Sequence, residues 1–436
     1  MKKILSNIKN RTLFKIASLN SVSIVIKIMT GFLTSKAIAI FIGPSGMALV
    51  GNFRNFITSA QAFTSLGFSN GIVKYVSEFK NNLLELSKAI STVFYLILGA
   101  TFLVSFICFF NATYFNALIF DELHDYTVII KLLALALPFY AANIFLLSII
   151  NGFGKFKTIL HISIIGQIIG TIITLLLIWK SNLNGALIAM VLSESVVFFI
   201  TFFYAFHLRS NIKWIGFKNF DIGYVKKMSS FSIMALFSAT VLPLVALAIR
   251  NYIIDTISID DAGYWEAMTR ISNYYLMFVS TLLSLYILPR FAEIHTVKAF
   301  RNEVFNFYKL IIPIFAFGLL LVYLLRSFII SIVFTDEFQP VENLFVWQLL
   351  GDFVKVLSLV ISYQFLAKKM FWHYMITEVI SVVVLYFSSI YLIDKFGVKG
   401  ATMAHLFNYV IYYLLILGIF YKPLFGKLPK DEIELT

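Results

Sequence analysis

The chain has 436 residues, of which 60% are hydrophobic and only 13% charged, and its mean hydropathy is +0.88. Soluble domains carry about 25% charged residues, so this composition excludes a soluble multidomain protein, and its hydrophobicity excludes a disordered chain. The 35 Lys and Arg against 22 Asp and Glu would suggest nucleic acid in a soluble protein; in a membrane protein they read instead as basic anchors in cytoplasmic loops, with no nucleic-acid partner.

A bilayer-crossing helix needs about 20 mostly apolar residues. Charge-poor stretches predict twelve such spans, at 13–42, 47–76, 89–110, 126–150, 158–179, 186–207, 229–254, 262–289, 305–325, 343–367, 372–393 and 400–421. Met1-Lys2-Lys3 precedes an apolar run as in a signal peptide, but Lys15 and Lys27 interrupt that run and no small-residue cleavage site follows. Gly43-Pro44-Ser45-Gly46 separates the first two spans, and Gly67-Phe68-Ser69-Asn70-Gly71 predicts a bend within the overlong second one. Asn151-Gly152-Phe153-Gly154 and Asn182-Leu183-Asn184-Gly185 mark further turns, and Pro138, Pro243 and Pro313 lie inside spans, where they predict kinks. Cys108, the single cysteine, lies in an apolar run and has no partner for an intrachain disulfide.

With both termini cytoplasmic, twenty-one Lys and Arg fall in inner segments and four, Lys180, Arg326, Lys395 and Lys399, in outer loops. The positive-inside rule selects that orientation. The outer loops are acidic, with Asp121, Glu122, Asp125, Asp255, Asp260, Asp261, Asp336, Glu337 and Glu342.

A shift of 215–216 residues brings the two halves into register: Arg54 falls on Arg270, Phe156 on Phe371, Gly185-Ala186 on Gly400-Ala401, and Ala189 on Ala404. Transporters are often built from such repeats. The expected fold is an all-α polytopic membrane protein of twelve transmembrane helices in two pseudo-symmetric six-helix lobes. The lobes would be 1–208 and 229–421, with a cytoplasmic linker at 209–228 bearing Trp214 and a cytoplasmic tail at 422–436.

Ten charges remain inside the spans: Lys27, Lys36, Arg54, Arg250, Arg270 and Lys355, with Glu194, Glu266, Asp352 and Glu378. Each costs about 2.5–3.5 kcal/mol at mid-bilayer on insertion scales, so each pairs, faces a cavity or snorkels. Glu266 and Arg270 are spaced to pair on one helix face, as are Asp352 and Lys355. Lys36 and Arg250 stand near span ends, where snorkelling is the alternative to a cavity. Lys27 lies near mid-span, and Arg54 has no acidic residue within eight positions. The basic excess in spans one, two, seven and eight predicts a wet, positively charged cavity between the halves that suits an anionic ligand, because Arg grips phosphate oxygens bidentately. Glu194, Asp352 and Glu378 are candidates for ion or proton coupling, and His405 reads as a packed core histidine.

No G-x-x-x-x-G-K-[ST] loop and no His/Cys cluster with metal-ligand spacing occurs, so neither a nucleotide engine, a metal nor another cofactor is expected. The outer loops are too short for a catalytic domain, which predicts a protein that is not an enzyme.

Ser35-Lys36-Ala37, Phe41-Ile42-Gly43-Pro44-Ser45-Gly46 and Gly51-Asn52-Phe53-Arg54-Asn55-Phe56-Ile57-Thr58 resemble Wzx-type polysaccharide flippases. So do Asn70-Gly71-Ile72-Val73-Lys74-Tyr75-Val76, Ile233-Met234-Ala235-Leu236 and Leu285-Tyr286-Ile287-Leu288-Pro289. The most specific stretch is Leu344-Phe345-Val346-Trp347-Gln348-Leu349-Leu350-Gly351-Asp352-Phe353-Val354-Lys355. The resemblance covers nearly the whole chain and is closest to the O-antigen and enterobacterial common antigen translocases. It implies the multidrug/oligosaccharidyl-lipid/polysaccharide exporter fold, and an undecaprenyl-pyrophosphate-linked oligosaccharide moved by alternating access across the bacterial inner membrane. It also implies lipid contacts, a polymerase and chain-length regulator of the same pathway as partners, and a basic cavity at Lys27, Lys36, Arg54, Arg250 and Arg270. A multidrug exporter of the same fold is the alternative; its cationic substrates call for an acidic cavity.

Overall fold

The computed structural model describes residues 2–120, 124–207 and 215–427, with the backbone alone at 2–20, 207, 227, 230 and 231. Asp121, Glu122, Trp214 with the neighbouring part of the expected linker, and the tail from 428 lie outside the described residues. Among the described residues the regular structure is helical throughout. The first helices are α1 (Lys2–Phe41), α2 (Gly43–Ser65), α3 (Ser69–Phe79), α4 (Leu83–Phe110), α5 (Ala112–Phe120), α6 (Thr127–Gly152) and α7 (Phe156–His207). There follow α8 (Ile222–Thr256), α9 (Ile259–Leu282), α10 (Leu288–Glu293), α11 (Val297–Leu324) and α12 (Arg326–Val333). The last are α13 (Phe345–Ala367), α14 (Phe371–Phe396), α15 (Lys399–Ile419) and α16 (Tyr421–Phe425).

Ten described segments are long and apolar enough to cross a membrane. One of them, within α7, is broken at Ser181 (φ −140°) and Asn182 (φ 45°) and so holds two arms. The region of the expected second span, α2, is less apolar because it carries Asn52, Arg54, Asn55 and Gln61. Counting α7 as two and adding α2 gives twelve. Large apolar side chains stay on the outside, as Phe102 at 74% exposure and Trp179 at 72% illustrate. Hydrocarbon rather than water is the solvent for such a surface.

Local chemistry sets the helix ends. Asn82 caps α4 by accepting from the Glu85 amide at 3.3 Å, and Ser258 caps α9 by accepting from the Asp261 amide at 3.0 Å. Asp260 and Asp261 in the first turn of α9 suit the positive end of its dipole. The bend expected at Gly67 is present: α2 ends in left-handed backbone at Leu66 (φ 51°) and Gly67 (φ 68°), and α3 begins at Ser69. Pro138, Pro243 and Pro313 lie within α6, α8 and α11. Ahead of Pro289, where a proline removes a backbone donor, Leu283–Ile287 widens into a π turn.

The chain divides into two units, Met1–Ile42 with Asn52–Leu244, and Gly43–Gly51 with Val245–Thr436, so that one division falls between α1 and α2 and the others inside α2 and α8. In the first unit α1 packs on α7, and α6 on α3, α4 and α7. The residues following the undescribed linker segment pack on α4: the Gly216 amide donates to Ser91 Oγ at 3.2 Å, Asn219 Nδ2 to Ser87 Oγ at 2.7 Å, and the Asp221 amide to Thr92 Oγ1 at 2.9 Å. Tyr224 donates to Glu85, and burial with that carboxylate pushes its hydroxyl pKa up. In the second unit α13 and α14 both pack on α15, over a core that includes Phe291, Phe300, Val360 and Phe365.

The repeat is written in backbone geometry. Left-handed residues Gly154 and Asn182 in one unit correspond, at a shift of 215, to Lys369 and Gly397 in the other. A Cβ on Gly185 would lie 1.8 Å from the Leu177 carbonyl, and one on Gly400 would lie 2.1 Å from that of Leu392, the same pair at the same shift. Each half therefore makes its last turn by laying a glycine against the helix eight residues earlier.

Candidate functional site

In the first unit the bend at Asn182 folds the two arms of α7 together, with Ser193 Oγ donating to the Gly170 carbonyl at 3.4 Å. Gly166 and Gly170 allow the approach: a Cβ on Gly166 would come within 2.9 Å of Val197. The arms, with α1 and α6, enclose a pocket of about 410 Å³ lined by Lys27, Thr34, Asn143, Ser163, Gln167, Thr171, Thr174, Ser193 and Glu194, among others. Lys27 and Glu194 both open to it and are solvent-accessible. They lie within electrostatic reach of one another, yet no hydrogen bond or ion pair joins them among the described residues. Lys36 on α1 and Arg54 on α2 are half-buried, and each interacts with other parts of the chain.

The remaining two basic residues lie in the second unit and are far less accessible. Arg250 (2% exposed) donates through Nη2 to Glu266 Oε2 at 2.6 Å, and Arg270 (6%) donates through Nε to Glu266 Oε1 at 2.9 Å. The i,i+4 pair expected on α9 thus has a third member from α8. Arg250 does not extend to a polar surface; its guanidinium lies against Glu266 and 5.2 Å over the Trp265 ring. One carboxylate serves two guanidinium groups. Gly51 is what lets α2 close on this group, since a Cβ there would meet Glu266 Oε2 at 2.6 Å.

Asp352 on α13 is fully buried and does not pair with Lys355. It accepts from Ser272 Oγ at 2.5 Å, from the Tyr275 hydroxyl, and from Gln348 Nε2 at 3.3 Å, and it meets His405 Nε2 at 2.9 Å. His405 is therefore more than packing: it joins α15 to α13. Lys355 lies 5.2 Å over the Tyr409 ring, and Glu378 on α14 accepts from the Tyr412 hydroxyl at 3.1 Å. Among the described residues no three of His, Cys, Asp and Glu come together as a metal site.

The polar face of α7 escaped sequence reasoning. Ser163, Gly166, Gln167, Gly170, Thr171 and Thr174 recur at three- and four-residue spacing in an otherwise aliphatic helix, a stripe that was there to be read.

The sequence profile of the family described as "Polysaccharide biosynthesis protein" matches residues 13–295. The chain belongs to that family. It is 29% identical over 410 residues to the Lipid III flippase of Escherichia coli, covering 94% of this chain and 98% of the flippase. The Lipid III flippase of Shigella flexneri matches to the same extent. Among solved structures, the lipid II flippase MurJ in an inward closed conformation superposes with a TM-score of 0.72 at 16% identity, covering 94% of this chain and 87% of that one. An inward-facing multidrug resistance MATE transporter of the MOP superfamily gives 0.71 at 10% identity, covering 91% and 95%. At such identities the structures share the fold, which the family member described here builds as a multi-pass membrane protein.

Proposed function

We propose that the chain is a flippase, not an enzyme. It carries an undecaprenyl-pyrophosphate-linked oligosaccharide from the cytoplasmic to the periplasmic leaflet of a bacterial inner membrane by alternating access, with both of its own termini cytoplasmic. The observation that carries this reading is the near end-to-end alignment with Lipid III flippases, which spans 94% of this chain. Physical chemistry supports it. Sugar hydroxyls and phosphates cannot enter hydrocarbon without losing their hydrogen bonds, so a flippase needs polar side chains inside its spans. Lys36 and Arg54 are accessible basic residues suited to the anionic pyrophosphate. A pathway polymerase and chain-length regulator are the protein partners in this reading.

Deletion of the gene should make the lipid-linked oligosaccharide accumulate on the cytoplasmic leaflet, and the plasmid-borne chain should clear it. No accumulation, together with loss of resistance to cationic dyes, would favour a multidrug exporter of the same fold.

A further inference from the structure

We propose that the pocket within the first unit is a sugar-recognition subsite for a hydroxyl-rich sugar residue bearing a carbonyl-containing substituent; this deepens, and rests on, the flippase reading. The volume of about 410 Å³ falls within the 300–1,000 Å³ common for small-ligand sites, and nine of the fifteen lining residues are polar or charged.

The hydrogen-bond inventory selects the ligand. Thr171 donates to the Gln167 carbonyl at 2.7 Å, Thr174 to that of Gly170 at 2.7 Å, and Ser193 to that of Gly170 at 3.4 Å. Their protons are used on the backbone, so these hydroxyls offer the pocket only acceptor lone pairs. Glu194 offers more of the same. The ligand on that side must supply donors, as sugar hydroxyls do. On the other side Lys27 is a donor only, and it calls for an acceptor oxygen such as that of an acyl or carboxyl substituent. Asn143 is 5% exposed. Thr201 fastens one end of its amide at 2.6 Å, and the other end has no partner among the described residues. The Gln167 amide likewise has no partner there, although both residues line the pocket.

Charge excludes the nearest rivals. Glu194 disfavours a pyrophosphate in this pocket, and Lys27 disfavours a cationic drug. Were the two charges merely neutralising each other, they would be bridged, because an unbridged pair so deep in a membrane protein is costly.

The test uses the full chain in lipid nanodiscs and three probes: undecaprenyl pyrophosphate, and the same lipid carrying glucose or N-acetylglucosamine. The wild type should bind the N-acetylglucosamine lipid about tenfold more tightly than the glucose lipid, the combined worth of the hydrogen bonds that Lys27 and the Gln167 amide give the acetamido group. Gln167→Ala should bring that ratio to about threefold while binding of the bare lipid is unchanged, and Lys27→Met should lower the ratio as well. An undiminished ratio in both variants, equal weakening for all three probes, or a wild type that does not discriminate overturns the subsite and leaves the flippase reading to its accumulation assay. A wild type that binds neither sugar-bearing lipid better than the bare one overturns the flippase reading too. Should Lys27→Met fail to accumulate, Gln167→Ala carries the test alone, since its amide holds nothing together within the described chain.

Discussion

Arg250 Nη2 meets Glu266 Oε2 at 2.6 Å, joining α8 to α9, with side chains only 2% and 1% exposed. Arg270 holds the other oxygen of the same carboxylate at 2.9 Å, so Glu266 bridges both guanidinium groups. Glu266→Ala takes this carboxylate from two buried cations and should cost about 3–5 kcal/mol, read as a lower melting temperature in detergent and less protein in the membrane. Arg270→Met leaves the neutral Arg250–Glu266 pair intact and should cost much less. Equal losses in the two variants would show that the carboxylate is not the keystone of the group.

Gly67 turns the chain between α2 and α3 at φ 68°, and a Cβ there would stand 2.3 Å from the Ser232 carbonyl oxygen. Left-handed backbone alone costs a non-glycine residue about 1–2 kcal/mol, and the clash adds to it. Gly154 has a similar φ of 72° with nothing within 4 Å of the added carbon. Gly67→Ala should therefore lower the melting temperature clearly more than Gly154→Ala. Indistinguishable variants would mean that the clash relaxes without cost.

These two sites mark what the sequence makes legible. A glycine-bounded bend is local, as are apolar span lengths and the Glu266–Arg270 spacing, so all three can be read along the chain. The 16-residue reach from Arg250 to Glu266 cannot, because it depends on how α8 and α9 face one another. Asp352 and Lys355 have the right spacing to pair, yet tertiary donors on α9 and α15 take the carboxylate, and Lys355 turns to the Tyr409 ring. Of the basic residues, Lys27 was legible as a mid-span charge, but its companion Glu194 becomes visible only when α7 folds back on itself at Asn182.

Asp352 receives the hydroxyls of Ser272 and Tyr275, the Gln348 amide and His405. That shell fits an acceptor-only carboxylate. Asp352→Asn turns one acceptor into a donor facing donors, and should cost about 1–3 kcal/mol, seen as earlier thermal unfolding. His405→Ala removes a single, 18% exposed partner and should unfold later than Asp352→Asn. The reverse order would place the weight of the cluster on the histidine.

Lys157 and Lys180 are both exposed and stand near opposite ends of the first arm of α7, about 35 Å apart at 1.5 Å per residue. With the buried Cys108 replaced by Ser, Lys180→Cys should label with a membrane-impermeant maleimide in intact cells. Lys157→Cys should label only after the membrane is opened. The opposite pattern would invert the proposed topology and put both termini outside.

Arg54 is the half-buried basic residue on α2 with no Asp or Glu within eight positions along the chain. In the flippase reading its fork binds phosphate oxygens in two places at once, a geometry that lysine lacks. Arg54→Ala should abolish clearance of the lipid-linked oligosaccharide while leaving the protein's membrane level normal, and Arg54→Lys should restore only part of it. The level measurement separates a binding role from a folding one, and the lysine variant separates charge from bidentate geometry. Full clearance by Arg54→Ala would remove Arg54 from the substrate's path, and the pyrophosphate would then have to be met by Lys36 or by a group with no basic side chain at all.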